Sequence, residues 1–129
     1  MWLISTESHF SAAHQLRGYP GECGGVHGHN FKVKVTVETN ELESIGVGVD
    51  FKELKLTLQK MTNKLDHKNL NELPEFKNVN PTAENIAKLI WKDLKREIKE
   101  KVKLKEVQVW ESDTNSATYM EPQRSQREV

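Results

Sequence analysis

From His27 the chain reads His-Gly-His-Asn-Phe-Lys-Val-Lys-Val-Thr-Val-Glu, and from Phe31 to Glu38 apolar and polar residues alternate strictly. A period of two over this length specifies a half-buried strand and is incompatible with a helical stripe. In a strand, residues i and i+2 share a face. His27 and His29 therefore lie on the face of Phe31, Val33 and Val35, the face that must be covered. Two imidazoles side by side on one strand face form half of a metal site. The chain's only cysteine, Cys23, stands just ahead of them in a glycine-rich stretch.

The remaining segments supply the cover. Residues 2–14 form a first strand whose even positions, Trp2, Ile4, Thr6, Ser8, Phe10, Ala12 and His14, make one face ending on a histidine. Residues 15–28 hold most of the chain's seven glycines together with Pro20, and read as a loop. The second strand is expected from about His29 to Leu42. Residues 51–65 carry Phe51, Leu54, Leu58, Met61 and Leu65 at helical spacing, with Asp50 in the N-cap position. Pro81 is expected to open a second helix capped by Asn80, with Ala83, Ile86, Ile90, Leu94 and Ile98 as its buried stripe and cations toward its end. Leu104–Ser112 and Ser116–Met120 read as two further strands about the turn Asp113-Thr114-Asn115, with Val107, Val109 and Glu111 on one face. The order strand-strand-helix-helix-strand-strand predicts an α+β fold, a four-stranded antiparallel sheet with two helices on one face. Such a sheet is open at both edges, so copies joined edge to edge are expected.

A length of 129 residues suits one domain, expected over 1–121, with a polar tail at 122–129. The 19 basic and 19 acidic residues balance without a one-signed block, which points away from nucleic acid and acidic membrane surfaces. The apolar runs are too short to span a bilayer, and the start Met1-Trp2-Leu3-Ile4-Ser5 lacks the features of a signal peptide. One cysteine excludes an intramolecular disulfide framework, and the expected location is the cytoplasm.

Antiparallel pairing of the first two strands would bring His14 beside His27 and His29. Three imidazoles around one point give a zinc site with an open fourth position; the competing reading is three separate surface or capping histidines. Cys23 has two alternative chemical roles, beside the reading of a small buried hydrophobe, which its glycine-rich surroundings argue against. As a fourth ligand beside the three histidines it would close a structural zinc module without catalysis; as a free thiol near a cation it would serve as a base or nucleophile. Asp66-His67 has the composition of a proton-transfer pair, or of a loop carboxylate beside a helix-terminal histidine. Glu111, on an inward face, must be paired or bind something, and a carboxylate matches the paired N–H donors of an amidine-like ring edge. Thr82 and Glu84 could line the same pocket or cap the second helix.

The segments Phe10–His14, Cys23–His29, Val49–Phe51, Leu65–Asn71, Pro81–Ala87 and Trp110–Ser112 together resemble the 6-pyruvoyl-tetrahydropterin synthase family, in its order and over nearly the whole chain. The spacing Cys-x-x-x-His-x-His is similar to the branch that makes 6-carboxy-5,6,7,8-tetrahydropterin. The resemblance implies a tunnelling fold (T-fold) whose ββααββ units assemble as a hexamer, a dimer of trimers with active sites between subunits. It implies a lyase that converts 7,8-dihydroneopterin triphosphate to 6-carboxy-tetrahydropterin, acetaldehyde and triphosphate on the route to queuosine. It implies zinc on His14, His27 and His29, Cys23 as general base, Asp66 and His67 as its relay, and Glu111 with Thr82 and Glu84 at the pterin. The pyruvoyl-forming branch is one alternative. The branch serving folate synthesis, which forms 6-hydroxymethyl-dihydropterin, is another, because Glu22 stands beside Cys23.

Overall fold

A computed structural model describes residues 1–20, 24–98 and 102–121. Cys23 and the tail at 122–129 lie outside the described residues. The elements are β1 (Trp2–His14), β2 (His27–Thr39), α1 (Phe51–Leu65), β3 (Lys68–Asn69), α2 (Ala83–Glu97), β4 (Lys103–Trp110) and β5 (Ser116–Met120), with two short 3-10 turns between β3 and α2. They build one sheet in the order β3-β1-β2-β4-β5. The expected four antiparallel strands are present, and Lys68–Asn69 adds a fifth by pairing parallel to Ala12–Ala13. A two-residue strand leaves no periodic trace in a sequence, so the sheet is one strand wider than the pattern of residues indicates.

The two faces divide as the alternation requires. Phe10, Ala12 and His14 of β1 and Phe31, Val33, Val35 and Val37 of β2 are buried beneath the helices. Leu54, Leu58, Met61 and Leu65 of α1 lie over β1, and Ile86, Ala87, Ile90, Trp91 and Leu94 of α2 lie over β4 and β5. Fully burying such a side chain stabilises the fold by roughly 1.5–3 kcal/mol. In β4 the pairing shifts between Thr36 and Val37, which face Glu106 and Leu104. Lys105 is the extra residue. This bulge lets Leu104 point inward with Val107 and Val109, although strict alternation would turn it outward.

Several boundaries differ from expectation. β2 begins at His27 and ends at Thr39 rather than running from His29 to Leu42. Phe51, the first residue of α1, faces solvent rather than the core. The cap of α2 is Thr82, whose hydroxyl accepts from the Asn85 N–H at 3.1 Å. Asn80 is not the cap, because its side chain is committed to the backbone of Arg17. Ile98 is the C-cap residue of α2 and, half-buried against the core, ends its stripe. β4 stops at Trp110, so Glu111 sits in the bend that follows. Among the described residues no helix is long and apolar enough to cross a membrane.

Candidate metal centre

The β1–β2 register sets His14 opposite His27 and Ala12 opposite His29. All three imidazoles lie on the helix-covered face, at the end of the sheet where β1 finishes and β2 begins. Ring centroids are 4.7 Å apart for His14–His27, 5.0 Å for His14–His29 and 4.7 Å for His27–His29. Phe31 forms the floor, edge-on to His14 at 5.5 Å and to His29 at 5.7 Å, and is itself stacked on Phe10 at 4.8 Å.

Backbone carbonyls orient two of the rings. Nδ1 of His14 lies 2.7 Å from the Pro81 carbonyl oxygen, and Nδ1 of His27 lies 2.7 Å from that of Gly25. A carbonyl only accepts, so the neutral form of each ring has its proton on Nδ1 and leaves Nε2 as the free donor atom for a metal. Gly24 helps to deliver the Gly25 carbonyl, since a Cβ there would sit 2.5 Å from the Tyr19 carbonyl oxygen. Nε2 of His14 and Nε2 of His29 are buried without a hydrogen-bond partner. An unmade bond of this kind costs about 1–3 kcal/mol per atom, which a bound cation would recover.

Glu111 completes the cluster. Its Oε1 lies 3.0 Å from Nε2 of His29 and 4.0 Å from Nε2 of His14, close but without hydrogen-bond geometry to either. One ligand atom from each of His14, His27, His29 and Glu111 falls within 4.8 Å of all the others. Burial holds the His29 imidazole below its ordinary pKa; the Glu111 carboxylate opposes that shift, and the two neighbouring rings add to it. The neutral ring, the form a metal requires, is thereby favoured. This set of donors fits a divalent cation.

Asp66 and His67 lie on the outer edge of β1 and are not part of the His14, His27, His29 and Glu111 cluster. The His67 N–H donates to the Ser11 carbonyl at 2.6 Å, and the Ser11 N–H donates to Asp66 Oδ1 at 2.8 Å. His67 Nδ1 lies 3.0 Å from Asp66 Oδ2, and its side chain is 83 % exposed. His67 has φ +57°, the left-handed region that a non-glycine residue enters at a cost of about 1–2 kcal/mol. The turn it makes feeds directly into β3. An open groove of about 510 Å³ is lined by both His67 and His29, with Ser11 and Asn30 between them. Thr82 is occupied as the α2 cap, and Glu84 is exposed in the first turn of that helix.

The Asp66 carboxyl is held below its ordinary pKa, first by the Ser11 N–H; desolvation opposes the shift, and His67 adds to it. A lowered native pKa adds stability above the unfolded carboxyl value, about 3.9, and that stability is lost as pH falls through the native pKa. Asp66→Ala is expected to melt below the parent chain at pH 7 and to converge with it as pH falls below the native pKa of Asp66. Thermal melts across pH check this; equal melting at pH 7 would show that the bond to Ser11 contributes nothing.

Reading residues by side chain passes over the carbonyls of Pro81 and Gly25 and the N–H of Ser11, because backbone groups carry no residue-type signal. The role of Asn71 and Asn80 in holding the backbone of Gln15 and Arg17 after β1 is also missed; asparagine in a loop is common, and its partners here are far away in sequence.

The family described as 6-pyruvoyl tetrahydropterin synthase matches residues 3–122. The chain is 37 % identical over 130 residues to the 6-carboxy-5,6,7,8-tetrahydropterin synthase of Synechocystis sp., covering 97 % of this chain and 98 % of that protein. It is 36 % identical over 104 residues to the dihydroneopterin monophosphate aldolase of Pyrococcus furiosus, covering 81 % and 84 %. The 6-pyruvoyl tetrahydropterin synthase of Caenorhabditis elegans superposes with a TM-score of 0.82 at 28 % identity, covering 95 % of this chain and 98 % of that one.

Proposed function

The chain belongs to the 6-pyruvoyl tetrahydropterin synthase family, and from that premise we propose that it is a zinc-dependent lyase that converts 7,8-dihydroneopterin triphosphate and water to 6-carboxy-5,6,7,8-tetrahydropterin, acetaldehyde and triphosphate, in the cytoplasm, on the route to queuosine. The observation that carries the reading is the convergence of His14, His27 and His29, two of them with Nε2 buried and unpartnered. Zinc held there supplies a Lewis acid that acidifies the hydroxyls of the substrate side chain. Cys23 removes a side-chain proton. His67, oriented by Asp66, passes protons at its ring nitrogens, and its exposure suits a group that works on a substrate rather than on the core.

Glu111 anchors the pterin by accepting from its N–H edge, with Thr82 and Glu84 beside it. Its position next to His29 also suits a fourth metal ligand, and the two roles separate cleanly. Glu111→Gln is expected to keep its zinc and to lower kcat/KM by roughly 10–100-fold, the value of one charged hydrogen bond. Loss of zinc from this variant would instead make Glu111 a ligand. Cys23→Ala is expected to retain zinc and fold while losing turnover; loss of both would favour the structural module closed by the cysteine and the three histidines.

His67 stands at a sheet edge where, among the described residues, β3 pairs only with Ala12–Ala13 of β1. That edge supports assembly through neighbouring sheets, a hexamer of two trimers in which Asp66 and His67 of one subunit serve the zinc of another. Product analysis tests the reaction. Incubation with 7,8-dihydroneopterin triphosphate should yield the 6-carboxy compound by mass, with none after chelation. A pyruvoyl or hydroxymethyl product would place the chain in another branch.

A further inference from the structure

Beyond His14, among the described residues, the chain has no strand beside it, yet its backbone is paired. The Gln15 N–H donates to Asn71 Oδ1 at 2.7 Å, and the Gln15 carbonyl accepts from Asn71 Nδ2 at 2.9 Å. The Arg17 N–H donates to Asn80 Oδ1 at 2.9 Å, and the Arg17 carbonyl accepts from Asn80 Nδ2 at 2.9 Å. A side-chain amide offers the same donor and acceptor as a peptide group, so each asparagine takes the place of one residue of a neighbouring strand. The Arg17 guanidinium reaches back across the same junction, donating from Nη2 to the Phe76 and Val79 carbonyls at 2.6 and 2.7 Å. Asn80 is also held from the helix side, its carbonyl accepting from Asn85 Nδ2 at 2.8 Å. The next residue is Pro81, whose carbonyl fixes the His14 ring.

We propose that Asn80 is a positioning residue of the metal centre, acting through the Pro81 carbonyl on His14; this rests on reading His14, His27 and His29 as metal ligands. Proline has no N–H by which its own position could be secured. Its place is set by Asn80 on one side and by the capped end of α2 on the other. The Asn80 amide ties that junction to the segment leaving His14, and so fixes the separation between carbonyl and ring. Without the amide, the Arg17 guanidinium still holds the Phe76 and Val79 carbonyls, but the residue next to Pro81 loses its direct tie to the segment leaving His14. The His14 ring can then turn or exchange tautomers, and its Nε2 is no longer reliably presented. Loss of such an orienting partner typically weakens metal binding by about 10–100-fold.

The test uses the full chain and metal alone. Zinc affinity is measured by competition with a chromophoric chelator, and coordination geometry by the visible absorption of bound cobalt(II). Asn80→Ala is expected to weaken zinc binding about 10-fold or more and to shift the cobalt bands. Ser8→Ala is the control for stability. It removes a buried bond from Ser8 to Thr62 at 2.9 Å on the same strand, away from the cluster, and is expected to leave affinity and spectrum unchanged. Zinc affinity in Asn80→Ala within about twofold of the parent, with an unaltered cobalt spectrum, overturns the positioning role whatever the melting temperature does. If that variant fails to fold, Asn80→Asp is read against the same limits, since it keeps the acceptor for the Arg17 N–H and loses only the donor. A parent chain that binds neither metal overturns the metal reading itself, which is a different failure.

Discussion

His29→Ala is expected to abolish zinc binding at stoichiometric metal, and turnover with it, while leaving the fold intact. The loss should exceed the roughly 10–100-fold penalty of removing a partner one shell further out, because a ligand itself is gone. The fold should survive because the His29 side chain is a quarter exposed and sits at the end of the sheet rather than beneath the helices. His14→Ala is a poorer test. That ring is fully buried and bonded to Pro81, so its removal also leaves a cavity and an unpaired carbonyl. Metal content by mass spectrometry, read beside a thermal melt, separates the two variants. Full zinc occupancy in His29→Ala would remove this residue from the metal site.

Phe31→Ala should give the largest stability loss of any single change near the site, about 3–5 kcal/mol. Phe31 is inaccessible to solvent and stacks on Phe10. Its edge contacts also support His14 and His29, so the variant should lose zinc affinity as well as stability. Against a typical domain stability of about 5–15 kcal/mol the change is severe, and the melting temperature should fall by roughly 10–20 °C. Chemical denaturation gives the value directly. A loss below about 1 kcal/mol would mean that the strand face relaxes around the gap and that Phe31 is not the floor of the site.

The parts of this molecule legible in its residues are those set by periodicity and by side-chain chemistry. Alternation through Phe31–Val37 identifies the central strand and its covered face, and the same parity gathers His14, His27 and His29 once β1 and β2 pair. Helical spacing finds both helices. What escapes is set by the backbone. β3 is too short to show a period, and the bulge at Lys105 appears only when two strands are aligned. Thr82 displaces Asn80 as the cap because Asn80 is claimed by Arg17, a contact between residues far apart in the chain. The carbonyls that orient His14 and His27 belong to Pro81 and Gly25, residues whose side chains say nothing about that role. The left-handed turn at His67, which sets the Asp66–His67 pair on an exposed edge, is likewise a backbone fact.

The proposed open three-nitrogen zinc site is tested most directly by crystals grown with zinc and measured on both sides of the zinc absorption edge. One anomalous peak is expected at roughly 2.0–2.1 Å from Nε2 of His14, His27 and His29, with no fourth protein atom coordinated. A peak placed elsewhere, or a tetrahedron closed by Glu111 or Cys23, would contradict the open site and the chemistry assigned to it.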